Sequence, residues 1–281
     1  MEMTYKFYFL SLITGLFFLN GCTPKAIAPR TNRPSSPTFD RPVIDSFPLA
    51  HKYFTTNRFD ALYIVSPDDE LQKLNAQHEV EFRYSNSRLG TISSIDVSNP
   101  LATLCFFEDF QTIILLDRTL NPLTEIHLAD WGFHDVTAVC SSGNNQIWIY
   151  DASAMQFVQI AKDRTTPSRT FPTNLHSDAS FVISKMLVNK DNLYCLSAKG
   201  DLYQLSLIGE SLQQILGGKQ LTDFQFSGNR LLVLTQQGQI FYYRNPLDLK
   251  RLSYPLAQKN KWGFWNGAFL WGNGLELVLV K

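Results

Sequence analysis

The feature that most constrains this sequence is a hairpin that recurs. Six segments share one form: an apolar run of strand length, a polar or glycine-containing turn, then a second run. They start at Ala61, Ala102, Gln146, Asn192, Arg230 and Ala268, spaced by 41, 44, 46, 38 and 38 residues. The turns are plainest in the last three, at Lys199-Gly200, Gln237-Gly238 and Gly272-Asn273-Gly274. More strand candidates lie between the hairpins. Stretches 92–97, 136–140, 181–188, 221–226 and 262–265 each precede one, and 80–84, 123–128, 169–171, 211–216 and 250–254 each follow one. No amphipathic stretch is long enough for a convincing helix. A composition of 13% aromatic and 18% charged residues fits strands better than helices.

Four strands recurring at a period of about 42 residues predict an all-β chain, a six-bladed β-propeller of four-stranded antiparallel blades. A lone four-stranded sheet has two faces to bury. Sheets set around a ring bury them against each other, and closure leaves only short edges. A stacked sandwich is the alternative. The sixth unit ends at Lys281 after its third strand, so its outer strand is expected from 43–49, with 52–56 as the first inner strand. The repeat also bears on Cys105, Cys140 and Cys195. Cys105 and Cys195 occupy the place of Ile64, Ile149 and Val233, a small apolar core position where a free thiol is at home. Three buried, unreactive thiols are expected, with a Cys105–Cys140 bridge as the alternative.

The start of the chain is of another kind. After Lys6 an apolar run from Phe7 to Leu19 is interrupted by Ser11, Thr14 and Gly15. It has the length of a secretory signal and is short for a membrane span. It ends in Leu19-Asn20-Gly21-Cys22, which resembles the lipobox of bacterial lipoproteins. That resemblance implies cleavage before Cys22, lipid on its sulfur and an acylated new amino terminus, palmitate being a usual chain. Thr23 in place of Asp implies the outer membrane by bacterial sorting rules, with the periplasmic face expected over the cell surface. Stretch 22–45 holds Pro24, Pro29, Pro34, Pro37 and Pro42 among few apolar residues and reads as an extended tether. The expected organisation is a signal at 1–21, the lipidated Cys22 and tether at 22–45, and a propeller at 46–281.

Within the repeats, Val136-Thr-Ala-Val, Asn145-Gln-Ile-Trp-Ile-Tyr-Asp151 and Phe157-Val-Gln-Ile resemble blades of NHL and related bacterial propellers. The stretch from Ser98 to Asp117 is similar to a family of uncharacterised propeller lipoproteins of Bacteroidota. These resemblances imply a fold and an address and carry no catalytic residues. The residues alone point to little chemistry. His51, His78, His127, His134 and His176 are not at metal-ligand spacing and read as lone surface residues. No metal ligand, cofactor site or catalytic group is assigned. Asp96, Asp135 and Asp223 lie near inner strands, where inward carboxylates would make a metal-dependent hydrolase in the channel, the first alternative function. Asp68, Asp69 and Glu70 occupy a turn and read as solvated charge.

Equal numbers of basic and acidic residues, 25 each, give no basic face for nucleic acid. Trp131 and Phe133 lie between two blades, and Trp262, Trp265 and Trp271 crowd the last unit. Each is core or, if exposed, part of an interaction surface. The leading expectation is a non-catalytic scaffold or accessory subunit of an outer-membrane complex, by analogy of fold and address with larger propeller lipoproteins that assist outer-membrane protein assembly. Its partners would be outer-membrane or periplasmic proteins, with the membrane reached through lipid on Cys22. A small-ligand or glycan binder is the second alternative.

Overall fold

A computed structural model describes residues 41–57, 59–142, 146–161, 167–173, 181–208, 211–245, 247–255, 257–259 and 261–281. The signal, Cys22, the tether up to residue 40 and His176 lie outside the described residues. Among the described residues, twenty-four strands form six four-stranded antiparallel sheets. The first strand, Val43–Pro48 (β1), belongs to the last sheet. Blade 1 is Tyr53–Thr56, Leu62–Val65, Leu71–Leu74 and Val80–Tyr84 (β2 to β5). Blade 2 is Ser94–Asp96, Thr103–Phe107, Thr112–Leu116 and Pro122–His127 (β6 to β9). Blade 3 is Val136–Ser142, Gln146–Asp151, Gln156–Ala161 and Arg169–Pro172 (β10 to β13). Blade 4 is Ile183–Asn189, Asn192–Ser197, Leu202–Ser206 and Leu212–Leu216 (β14 to β17). Blade 5 is Leu221–Ser227, Arg230–Thr235, Ile240–Asn245 and Asp248–Arg251 (β18 to β21). Blade 6 is Trp262–Trp265, Ala268–Gly272 and Glu276–Val280 (β22 to β24), completed on its outside by β1. Among the described residues the only helical elements are two 3₁₀ turns, Glu108–Phe110 and Leu128–Trp131. None of the described helices is long and apolar enough to cross a membrane.

The period-2 alternation of each strand decides how the sheets assemble. On β11, Ile147 and Ile149 enter the core shared with blade 2, while Trp148 and Tyr150 enter the core shared with blade 4. The same division holds around the ring, so the buried apolar side chains fall into six clusters, one at each joint between blades. Cys105 lies in the joint of blades 1 and 2, and Cys140 and Cys195 in that of blades 3 and 4. All three thiols are free and fully buried, and burial raises each well above the ordinary thiol range.

The ring closes where the last blade meets the first. Val43 to Pro48 pair with Val280 to Glu276, so the strand begins inside the stretch assigned to the tether. Phe47 extends from β1 to stack on His78 of blade 1 at 4.0 Å and meets Trp265 edge-on at 6.3 Å. Asp45 approaches the same imidazole at 3.7 Å.

Because every blade runs from inner to outer strand, turns of two kinds gather at opposite ends of the ring. Turns between second and third strands share one end, called here the top, with the connections between blades. Turns joining first to second and third to fourth strands form the bottom.

Candidate functional site

At four joints of the top, one blade's turn holds the chain arriving at the next. Gln111 of blade 2 does so with its side chain, accepting from Val136 N at 2.7 Å and donating to Val136 O at 3.0 Å. Leu221 N donates to Gly200 O at 3.1 Å, and Ala257 N donates to Gly238 O at 2.9 Å. Gly200 has φ +85°, and a Cβ there would lie 2.7 Å from the backbone nitrogen of Leu221. Only glycine suits both the conformation and the approach.

His51 closes the last coupling. Its backbone N–H donates to Gly274 O at 2.9 Å, its Nδ1 donates to Leu49 O at 2.8 Å, and its Nε2 accepts from Gly274 N at 3.2 Å. These partners fit one neutral tautomer. Burial depresses the imidazole pKa below 6.5, opposed by the bond to Leu49 and reinforced by Lys261. The expectation of a lone surface histidine is therefore corrected for His51, which is 3% exposed and structural. Sequence spacing carried no sign of this, because the partners are backbone groups, Leu49 O two residues away and those of Gly274, 223 residues away.

The three carboxylates expected near the channel diverge. Asp135 is exposed at the top. Asp96 is buried and accepts from Ser98 N at 2.8 Å and from Ser141 N of blade 3 at 2.7 Å. Asp223 is buried and accepts from Phe224 N at 2.8 Å, Lys185 Nζ at 2.6 Å and Trp262 Nε1 at 2.9 Å. Lys185 and Asp223 each follow a β-bulge in their own inner strand, a device that re-aims side chains. One ion pair and one indole bond thereby tie blades 4, 5 and 6. Asp96 and Asp223 spend their oxygens on holding blades together, which corrects the picture of an inward ligand ring. No group of three His, Cys, Asp or Glu residues among the described residues is placed to hold a metal ion.

The aromatic residues proposed as an interaction surface lie mostly inside. Trp262, Trp265, Trp271 and Phe133 are buried, and Trp131 is half-buried against the joint of blades 2 and 3. Trp265 fills the joint of blades 6 and 1, with its indole N–H donating to Asp60 O. Alternation along short strands sends such rings into the joints, so they act as packing. The large apolar residues that reach solvent are on turns and edges; among them Phe59, Leu101, Ile208 and Leu247 lie on bottom turns and Phe110 and Leu275 on top turns, each more than half exposed. Beside Phe110, Glu108 has a raised pKa, first from burial and then from Asp109 and Asp135, with Lys259 opposing.

Clefts open between blades. One of about 370 Å³ lies between blades 1 and 2, lined by Tyr84, Asn86, Arg88 and Glu125 among others. A larger one, of about 600 Å³, lies at the bottom between blades 3 and 4.

With this geometry in hand, comparison places the chain among known folds. No protein-family model matches the sequence, and no curated protein sequence matches it. Many solved structures match the fold. The WD40 repeats of RRP9 superpose with a TM-score of 0.60 at 10% identity, covering 86% of this chain and 99% of that one. A streptogramin B lyase gives 0.57 at 10% identity over 84% and 97%. BamB from Moraxella catarrhalis gives 0.50 at 10% identity over 86% and 100%. This chain has the fold of a six-bladed β-propeller. At such identities the likeness extends to the fold alone.

Proposed function

We propose that this protein is a lipid-anchored interaction scaffold: a non-catalytic propeller held at the outer membrane through Cys22, presenting its turns to other envelope proteins. The observation that carries the reading is the set of exposed apolar anchors, Phe59, Leu101, Phe110 and Leu275, on turns of a ring whose joints are packed. A few anchor residues carry most of the energy of a protein interface, and exposed rings such as Phe59 and Phe110 on a rigid frame are placed to serve as such anchors. The lipobox-like Leu19-Asn20-Gly21-Cys22 and the proline-rich stretch after it support the address. Stable anchoring takes two or more acyl chains, which a triacylated cysteine provides.

An enzyme is the rival reading, since one similar fold is named a lyase and a fold does not decide chemistry. The roles of Asp96 and Asp223 favour the scaffold, because their carboxylates already accept hydrogen bonds that join blades. Intact-mass analysis of the membrane fraction tests the address. The wild type is expected to carry diacylglycerol and a further acyl chain on Cys22, and Cys22→Ala to be released unmodified. An unmodified wild type in the soluble fraction would contradict the anchor.

A further inference from the structure

The geometry points to the bottom of the ring as the face that lies on the phospholipid bilayer, its exposed apolar turns entering the headgroup boundary. The inference rests on the lipid anchor proposed above and assigns each end of the ring its own contact.

Nine large apolar side chains are exposed among the described residues. One alone needs no explanation, but their distribution does. Phe59, Leu101, Ile208 and Leu247 tip bottom turns, and Val43, Ile44 and Leu123 stand at the bottom ends of the outer strands β1 and β9. The remaining two, Phe110 and Leu275, are at the top. The bottom set belongs to blades 1, 2, 4, 5 and 6, while the bottom turns of blade 3 run through 143–145 and 162–166, outside the described residues.

Three of the bottom tips are raised by the same device. Oδ1 of Asn57, Asn99 and Asn245 accepts from the backbone N–H two residues on, of Phe59 at 2.9 Å, of Leu101 at 3.0 Å and of Leu247 at 3.0 Å. At the top, Asn273 holds Leu275 in the same way at 2.8 Å. Apolar tips fixed on separate blades, spread around one end of a rigid ring, suit a surface that is flat and continuous. A bilayer is such a surface, and shallow apolar insertion holds peripheral proteins to it.

The chain leaves from this same end. Arg41, the first described residue, donates from Nε to Ser253 O at 2.9 Å and from Nη1 to Lys281 O at 3.0 Å, and its guanidinium lies over the Tyr254 ring at 4.7 Å. Lys281 follows the bottom end of β24, and its N–H donates to Pro42 O at 3.2 Å. The path toward Cys22 therefore starts at the lower edge of the ring, where blades 5 and 6 meet. Cys22 precedes Arg41 by 19 residues, a reach of roughly 60 Å. Anchoring confines the ring within that distance of lipid, so weak insertion at each tip suffices. Docking by the bottom leaves Phe110 and Leu275, at the far end, to protein partners.

The test uses the full lipidated chain, purified from membranes and reconstituted with vesicles of phosphatidylethanolamine and phosphatidylglycerol. Cys105, Cys140 and Cys195 are fully buried, so an environment-sensitive nitrobenzoxadiazole label goes to the thiol introduced by Leu101→Cys, Leu247→Cys or Leu275→Cys. Leu275 is the matched control, because it and Leu101 are each 68% exposed. In Leu101→Cys and Leu247→Cys the label is expected to shift to the blue and to lose most of its fluorescence to nitroxide-bearing lipids. Insertion of about 5–10 Å makes a nitroxide near the headgroup quench more than one at the chain end. In Leu275→Cys the label should stay as in water. Vesicle flotation reads the anchor separately. A chain that floats with all three labels in water overturns the docking and keeps the anchor, whereas a chain that does not float overturns both. Equal quenching of all three labels, or quenching in Leu275→Cys alone, also overturns the docking.

Discussion

At the scale of single residues, polar groups of this protein are spent on joining blades, and His51 shows the consequence for pH. Its ring bonds Gly274 only when Nε2 is unprotonated, and its folded pKa lies below the ordinary 6.5. An unfolded chain therefore binds the proton first as pH falls. The contribution of His51 is complete above pH 6.5 and is lost as pH drops through the depressed folded value. Denaturant melts of wild type and His51→Phe should differ most above pH 6.5 and converge below it; a constant difference would remove the ring nitrogen from the account. Asp223→Asn should cost about 2 kcal/mol, as hydrogen bonds to a charged group are lost beside Lys185 and Trp262. Chemical melting at pH 7 reads this directly, and an unchanged midpoint would show that the bonds carry no net weight. Asp223 was legible as a residue near an inner strand. Its partners were not, because two bulges and the curvature of the ring bring Lys185 and Trp262 to it from outside its own blade.

At the scale of elements, closure and register are the points at issue. Removing residues 1–48 strips β1 and leaves β24 as an exposed edge, whereas removing 1–40 leaves the pairing of Val43–Pro48 intact. The longer truncation should melt well below the shorter one and tend to aggregate, as unpaired edges do. Identical melting temperatures by calorimetry would mean that β1 does not hold the ring. Gly200→Ala should also lower stability, by roughly 1–3 kcal/mol, since a side chain there must adopt φ +85° against Leu221. Most strands were readable from alternation, because apolar runs such as Ile147 to Tyr150 bury both faces and the turns between them carry glycine. The closing strand was readable from arithmetic alone, as the sixth unit lacked a partner. The predicted inner strand at 181–188 begins later, at Ile183. The aromatic cluster at 262–271 could not be resolved into core or surface by sequence, since neither outcome changes the alternation; the ring decides it by placing a second sheet against each face.

At the scale of the whole molecule, six packed joints, a closing strand and four top couplings make a frame whose exposed anchors keep fixed positions. Lipid at Cys22 would set the address and the turns would supply contact. Phe110 and Phe59 stand on opposite ends of the ring, so their substitution separates the two faces as binding surfaces. The central claim is tested most directly by purifying the full-length chain from solubilised membranes and quantifying what accompanies it, for the wild type and for Phe59→Ser and Phe110→Ser. The account predicts a stoichiometric protein partner with the wild type, lost in at least one variant whose melting temperature is unchanged. Absence of any stoichiometric partner, or its equal recovery with both variants, would contradict it.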